Sequence, residues 1–317
     1  MTTGTGRGRT LARADARAGV ALISPTLVIV LVMVVIPITW TVLLAFQQLR
    51  LLNLRRAGLF GEFTLNNFDN ILGSSAFWGA LGTTIAYSVF GTAFAIGVGL
   101  AAALALRRKF PGRGVIRALM LLPYVAPIVA ATYAWTTMLN PQFGVANYWG
   151  TRLLGWDEPI AFLSQRFHEV SIFGLTITVP IALLTVIAFE AWRSFPFAFL
   201  FLTARLQAVP ATLEEAATVD GATLTQRFRY VVLPQLMPTI AVIAVLRFIW
   251  TFNNFDDIYL LTGGGAGTEV IAVSVFNSLT ARGDIGGAAA QALVLAAILA
   301  VLVGLYLWRL APREVQS

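Results

Sequence analysis

The sequence predicts an all-α integral membrane protein with six membrane-spanning helices. Of its 317 residues, 58% are hydrophobic and only 12% are charged, which is about half the charged fraction of a soluble domain. The charged residues are also clustered, so that six long stretches contain almost none. Each stretch has the roughly 20 apolar residues that a helix needs to cross a hydrocarbon core. These observations nearly exclude a soluble enzyme.

The predicted membrane domain covers residues 20–310, between an N-terminal tail (1–19) and a C-terminal tail (311–317). Its six spans are predicted at about 20–46, 78–106, 118–139, 173–202, 237–261 and 288–310. Apart from Arg309 at the last boundary, charged residues within the spans occur only in the fourth and fifth, namely Glu190, Arg193, Arg247, Asp256 and Asp257. A charged residue inside a span is costly and usually faces a cavity or a partner, so these two spans are the functional candidates.

The basic residues predict the orientation of the spans. Fourteen of the 22 Lys and Arg residues fall on the side that carries both chain ends, and six fall on the opposite side. Because cytoplasmic loops are enriched in Lys and Arg, both termini are predicted to be cytoplasmic. The net charge of +7 then follows from membrane topology, and no nucleic-acid partner is expected.

The residue inventory argues against catalysis by this chain. There is no cysteine and a single histidine, His168, so neither thiol chemistry nor a His-based metal site is expected. An ATP-binding P-loop requires a lysine after a glycine-rich turn, but the one lysine, Lys109, precedes Phe110-Pro111 and has no glycine cradle. We therefore predict no catalytic residue, no metal and no cofactor bound by this chain.

The predicted loop between the fourth and fifth spans, residues 204–236, contains two helix-favouring stretches. They cover 212–219 and 224–232 and are separated by Asp220-Gly221, which predicts a helix–turn–helix arrangement. The order of residues here is Glu215-Ala216-Ala217, three residues, Gly221, nine residues, then Val231-Val232-Leu233-Pro234. This resembles the EAA motif, EAA-x3-G-x9-I-x-LP, of permease subunits in bacterial ATP-binding-cassette importers, with Val231 at the Ile position.

Two further segments resemble the carbohydrate-type, maltose-transporter-like permeases of that family. The stretch from Phe255 to Gly265, FDDIYLLTGGG, is similar to the family's FD-x-IY-x-LT-x-GG segment. The stretch from Asn140 to Tyr148, NPQFGVANY, is similar to its NPQ-x-G-x-x-N segment. One departure is Ala266-Gly267, where the family often has proline after the glycines, and it leaves the shape of that outer loop open.

The resemblance implies an importer assembled from several subunits in the bacterial inner membrane. The expected partners are a second permease forming a heterodimer, two ATPase subunits that bind ATP and Mg, and an extracytoplasmic solute-binding protein, all within or against membrane lipid. The expected activity is import of a sugar or oligosaccharide by alternating access. The residues to which the motif assigns ATPase coupling are Glu215, Ala216, Ala217, Asp220, Gly221, Leu233 and Pro234.

The fifth predicted span carries candidate substrate contacts. Arg247, Trp250, Asn254 and Asp257 are at offsets 0, 3, 7 and 10, which would place them on one face of a continuous helix, with Asn253 beside it. Aromatic rings such as those of Trp250 and Tyr259 offer an apolar surface to the C–H face of a sugar, and the polar groups could satisfy its hydroxyls. The alternative is that these residues pack against the second permease.

The fourth predicted span has a different character. Glu190 and Arg193 are three residues apart and could pair with each other, and Pro196 predicts a local bend because it removes a backbone donor. A role in gating or scaffolding is expected for these three residues.

Three other functions are less consistent with the sequence. A permease for a polyol or glycerol phosphate would have the same architecture, but a phosphate substrate favours several cavity arginines, and only Arg247 is a good candidate. A secondary transporter driven by an ion gradient would show inverted repeats, and none is evident. A membrane enzyme would need a cluster of catalytic side chains that this sequence does not supply.

Overall fold

The structure is a computed structural model that describes residues 20–54, 62–172 and 175–310. The predicted tails, 1–19 and 311–317, lie outside the described residues. The helices before the outer hairpin are α1 (Val20–Ala45), α2 (Asn66–Leu72), α3 (Ser75–Ala105), α4 (Arg113–Leu119), α5 (Leu122–Val125), α6 (Ile128–Met138) and α7 (Val145–Leu153). The remaining elements are β1 (His168–Ile172), β2 (Leu175–Val179), α8 (Ile181–Gln207), α9 (Ala211–Val219), α10 (Leu224–Phe252), α11 (Asp256–Thr262), α12 (Ile271–Thr280) and α13 (Ile285–Leu310).

The prediction of a helical membrane protein is confirmed. Within the described residues, five helices are long and apolar enough to cross a membrane, and a sixth crossing is obtained if one bent pair of segments counts as a single span. The five are α1, α3, α8, α10 and α13.

The predicted third span, 118–139, is broken rather than continuous. The segment from Arg113 to Val125 meets α6 at an angle of 96°. The break lies at Ala126-Pro127, where Ala126 is extended with ψ 137°. A residue that precedes proline is disfavoured in the helical region, because the proline ring clashes with its backbone. The proline therefore explains the interruption.

The predicted fourth span, 173–202, was placed too early in the chain. Strands β1 and β2 form an antiparallel hairpin in which His168 pairs with Val179, and α8 begins only at Ile181. The β-branched residues of β2 explain this, since they favour a pleated strand. At its other end α8 continues through Pro196 to Gln207.

The predicted fifth span, 237–261, is also not one helix. Helix α10 starts earlier, at Leu224, and ends at Phe252, and α11 begins at Asp256. The Asn254 Oδ1 atom accepts a hydrogen bond from the backbone N–H of Asp257 at 3.1 Å. Asparagine side chains compete in this way with helical hydrogen bonds and favour helix starts. Because of this interruption, the residues of α11 do not continue the helical repeat of α10.

The described residues divide into two compact units. The first contains the described residues up to Ile71 together with Ser278–Leu293. In it the buried Asn67 amide donates hydrogen bonds to the carbonyls of Ala45 and Gln47, each at 2.9 Å. These bonds attach α2 to the end of α1.

The second unit contains the described residues of Leu72–Asn277 and those from Val294 to Leu310, and its centre is the packing of α3 against α8. Gly99 permits this close approach, because a Cβ atom there would lie 2.7 Å from Ala198 Cβ and 2.8 Å from the Phe199 backbone nitrogen. Small residues at helix interfaces are typical of membrane proteins. The core around this contact is apolar, with Leu202 and Leu236 fully buried.

Candidate functional site

The loop with the EAA-like motif forms the predicted helix–turn–helix, with α9 followed by the first turns of α10. Glu215 and Ala216 are exposed on α9, and Ala217 is half-buried. The exposed Asp220 caps the end of the helix. The charged, narrow face of α9 is therefore not covered by other described parts of the chain.

The direction of the chain reverses at Gly221, whose φ is +78°. Glycine adopts this left-handed region without the penalty that a Cβ atom would add. The backbone N–H groups of Gly221 and Ala222 donate to the carbonyls of Thr218 and Ala217, at 3.1 and 2.9 Å. These bonds satisfy orphan carbonyls at the end of α9.

The start of α10 is fixed by a capping box. The Thr223 hydroxyl accepts a hydrogen bond from the Gln226 backbone at 3.3 Å, and the Gln226 side chain accepts one from the Thr223 backbone at 2.8 Å. The half-buried Leu233 and the exposed Pro234 follow the π-helical turn Phe228–Val232. Proline removes one helical hydrogen bond, which accounts for the widened turn beside it.

A salt bridge connects α9 to the end of α3. Glu214 lies next to the motif glutamate, and both its carboxylate oxygens meet the Arg107 guanidinium, with Arg107 Nη1 3.0 Å from Glu214 Oε2. Bidentate pairs of this kind fix geometry as well as adding energy. The position of the exposed helix is thus tied to the membrane-spanning core.

A second cluster of charges is buried between α8 and α10. The fully buried Glu190 carboxylate forms an ion pair with Arg247. Glu190 Oε1 also accepts hydrogen bonds from the hydroxyls of Ser194 at 3.1 Å and Thr251 at 2.9 Å. Because a buried charge is tolerated only when it is paired and hydrogen-bonded, these contacts explain how Glu190 occupies the core.

The cluster continues to α11 through Arg193. Its Nε atom is 3.1 Å from Asp257 Oδ1, and its Nη2 atom is 3.5 Å from Glu190 Oε2. The fully buried Asp257 also accepts hydrogen bonds from the Tyr87 hydroxyl at 3.1 Å and from the Asn254 amide at 2.9 Å. Two carboxylates and two guanidinium groups therefore balance one another inside the helix bundle. We call Glu190, Arg193, Arg247 and Asp257 the charge cluster.

The structure separates the predicted substrate stripe into two groups. Arg247 and Asp257 belong to the charge cluster, and Asn254 donates a hydrogen bond to Asp257, so their polar groups are engaged inside the chain. The single-face arrangement was wrong for Asn254 and Asp257, because α10 ends at Phe252. The predicted pairing of Glu190 with Arg193 is present.

The second group is exposed. Trp250 is 47% exposed and packs edge-on against Phe197 at 5.2 Å between ring centroids. Tyr259 is 39% exposed and stacks on Phe255 at 4.7 Å. Asn253 is exposed, and its amide donates to the Ile249 carbonyl at 2.8 Å. These side chains are not covered by other described parts of the chain.

Sequence reasoning missed three members of the site, Tyr87, Ser194 and Thr251. Ser194 and Thr251 lie four residues after Glu190 and Arg247, respectively, so helical spacing could have identified both. Tyr87 lies 170 positions from Asp257 in the sequence, and no local pattern indicates that contact.

Comparison with known proteins agrees with this architecture. Residues 95–314 match the family described as "Binding-protein-dependent transport system inner membrane component". The chain is 32% identical to the trehalose/maltose transport system permease protein MalF of Thermococcus litoralis, over 82% of each chain. It is 34% identical to the sn-glycerol-3-phosphate transport system permease protein UgpA of Agrobacterium fabrum, over 77% of this chain and 80% of that protein.

The fold also matches a solved structure. A chain of the bacterial ABC transporter involved in the import of the acidic polysaccharide alginate superposes with a TM-score of 0.79, at 21% identity, over 98% of this chain and 100% of that chain. At this identity the likeness concerns the fold alone, and it confirms the permease fold predicted from the sequence. The chain therefore belongs to the family of inner membrane components of binding-protein-dependent transport systems, and it is a permease of the ATP-binding-cassette importer type.

Proposed function

We propose that this chain and a second permease form the translocation pathway of an ATP-driven importer for a neutral sugar or oligosaccharide. The observation that carries the proposal is the exposed α9, which presents Glu215, Ala216 and Ala217 and is reversed by Gly221. A rigid, uncovered helix with a thin alanine face suits insertion into a cleft of a soluble ATPase subunit. Glu215 would pair there with a basic residue of the partner.

The transport cycle follows from this attachment. Two ATPase subunits, which bind ATP and Mg, would move α9 when they close. The Arg107–Glu214 salt bridge would transmit that movement to α3, and α10 would follow because it continues directly from the loop. The translocation pathway between the two permeases would then open towards an extracytoplasmic binding protein. Both chain ends would lie in the cytoplasm, as the distribution of basic residues predicts.

We assign solute contact to the exposed group, Trp250, Asn253 and Tyr259. Aromatic faces suit the C–H surfaces of sugar rings, and the Asn253 amide can exchange hydrogen bonds with hydroxyls. The polar groups of the other three predicted contacts, Arg247, Asn254 and Asp257, are committed to the charge cluster. These residues would therefore act behind the exposed group.

A neutral sugar is favoured over glycerol phosphate by the same contacts. The most promising arginine for a phosphate, Arg247, is 5% exposed and is paired with Glu190. The likeness to MalF supports a sugar, whereas the likeness to UgpA supports glycerol phosphate as the second candidate. The substrate must therefore be tested directly.

The test is ATP hydrolysis by the complex reconstituted in nanodiscs with its binding protein. Neutral di- and oligosaccharides and glycerol 3-phosphate would be compared for wild type, Glu215→Ala and the control Glu158→Ala, which removes an exposed carboxylate elsewhere. We expect one saccharide to stimulate wild type and the control, and Glu215→Ala to lose most of that stimulation. Stimulation by glycerol 3-phosphate alone would establish the second candidate. Full stimulation of Glu215→Ala would refute the coupling role.

A further inference from the structure

A basic pocket lies just beyond the end of α3, and one of its lining residues, Arg107, is paired with Glu214 of α9. Its volume is about 180 Å³, well above the ~10–15 Å³ that a cavity needs to hold one water molecule. Its polar lining consists of Arg107, Lys109, Arg113, Arg117, Thr203 and Gln207. None of the residues that line it is acidic.

The positive charge of this pocket is largely unbalanced. Arg107 is neutralised by Glu214. Among the described residues, no carboxylate lies within ion-pair distance of Lys109, Arg113 or Arg117. Three cations that surround a small cavity repel one another, and a bound anion would relieve this repulsion.

Helix capping explains part of this arrangement. Arg113 Nη1 donates to the Arg107 carbonyl at 3.1 Å, and Arg117 Nη2 donates to the Leu106 carbonyl at 2.9 Å. Cations are favourable at a helix C-terminus, so capping accounts for the placement of both arginines. It also holds their guanidinium groups in fixed positions.

Capping leaves buried donors unused. Arg117 Nε and Thr203 Oγ1 are both buried, and neither has a hydrogen-bond partner in the described structure. An unsatisfied buried donor is costly. Both atoms belong to residues that line the pocket, so the pocket lies beside donors that the described chain leaves unpaired.

We propose that this pocket binds a phosphate-type oxyanion. Such a group offers several acceptor oxygens, fits the cavity and suits the planar donor fork of arginine. The apolar helix α3 ends at Ala105, and Arg107 follows two residues later, so the pocket lies where lipid headgroups meet the span. The phosphate of an anionic phospholipid is one source, and free phosphate is the other.

The site has a consequence for coupling that rests on the proposed function. An anion in the pocket and Glu214 would both bind the Arg107 guanidinium. Occupancy would therefore alter the connection between α3 and α9. The binding itself does not depend on that role and can be measured separately.

The experiment uses the full-length chain with its copurifying subunits. Native mass spectrometry would count retained phosphatidylglycerol against phosphatidylcholine, and calorimetry would measure inorganic phosphate in phosphatidylcholine nanodiscs. Lys109→Gln removes a lining charge that caps no helix, and Arg108→Gln removes the neighbouring charge, which does not line the pocket. Arg117→Lys keeps the charge but removes the buried Nε donor, and thermal unfolding reports whether each variant is folded.

We expect wild type and Arg108→Gln to bind equally, and Lys109→Gln to bind about fivefold more weakly, the effect of one basic residue near an anionic headgroup. Arg117→Lys should also bind more weakly. Binding of phosphatidylglycerol but not free phosphate would assign the lipid, and the reverse would assign free phosphate. Equal losses in Arg108→Gln and Lys109→Gln would show diffuse surface charge and overturn the proposal, as would the absence of binding by either anion.

Discussion

The carboxylate of Glu190 on α8 forms a buried ion pair with the guanidinium of Arg247 on α10, although the residues are 57 positions apart in the sequence. Neither charge would be stable alone in the bundle. Arg193 extends the contact to Asp257 on α11, so the charge cluster joins three helices. The break between α10 and α11 lies directly beside the cluster. The cluster therefore fixes the position of the segment that carries the proposed solute contacts.

Removal of Glu190 should strongly destabilise the protein. Glu190→Ala leaves Arg247 buried without its main partner, and such a change costs about 3–5 kcal/mol. The free energy of unfolding in detergent, measured with a denaturing surfactant, checks this. The double variant Glu190→Leu/Arg247→Leu should lose less free energy of unfolding than the sum of the losses in Glu190→Leu and Arg247→Leu. Additive losses would argue against a direct pair.

The Tyr87 hydroxyl should make a smaller contribution. Tyr87→Phe removes one hydrogen bond to the buried Asp257 carboxylate while keeping the ring, so a loss of about 1.5–3 kcal/mol is expected. Thermal unfolding of the variant should therefore begin at a lower temperature. Tyr124→Phe is the control, since Tyr124 is exposed, and an equal shift in both variants would contradict the role of Tyr87.

Close packing of α3 on α8 can be tested at two glycines that are two residues apart. Gly99→Ala should destabilise by about 1–3 kcal/mol, because its Cβ would lie under 3.0 Å from three atoms of α8. Gly97→Ala meets nothing within 4 Å, and alanine is the better helix former, so its stability should be unchanged or higher. Equal unfolding temperatures for the two variants would contradict this packing.

At Gly221 the expected effect is conformational. Nothing lies within 4 Å of a Cβ there, but φ is +78°, so Gly221→Ala should cost about 1–2 kcal/mol of backbone strain. Gly221→Asn should cost less, since asparagine tolerates this region. Unfolding temperature and solute-stimulated ATP hydrolysis of the complex would be measured together. A more severe loss of both in Gly221→Asn than in Gly221→Ala would refute the explanation.

Trp250 provides a test of the proposed pathway. Trp250→Ala should raise the KM for the stimulating sugar by about threefold to tenfold, which corresponds to loss of one aromatic contact. Basal ATP hydrolysis should be retained, because α9 is untouched. Trp308→Ala is the matched control, since Trp308 is a 73% exposed tryptophan of α13. An unchanged KM in Trp250→Ala would remove Trp250 from the pathway.

Composition and spacing determined the class of protein and the helix–turn–helix form of the loop with the EAA-like motif. Six apolar stretches are sufficient to predict membrane spans, because the hydrocarbon core accepts few other sequences. The turn at Gly221 was predictable because its cause is local, a backbone conformation that favours glycine. Pro127 was an equally local signal for the break in the third predicted span. The prediction of one continuous span followed the apolar content of 118–139 instead.

Tertiary structure alone decided how the buried charges are shared. Sequence spacing correctly placed Glu190 near Arg193, but it put Arg247, Asn254 and Asp257 on one helical face, as contacts either for a solute or for the second permease. The helix ends at Phe252 instead, and Asp257 turns inward to Arg193 and Tyr87. Hydrophobicity requires only that a segment be buried in apolar surroundings, whereas the partner of a buried charge depends on which helices pack together, and that is a property of the whole chain.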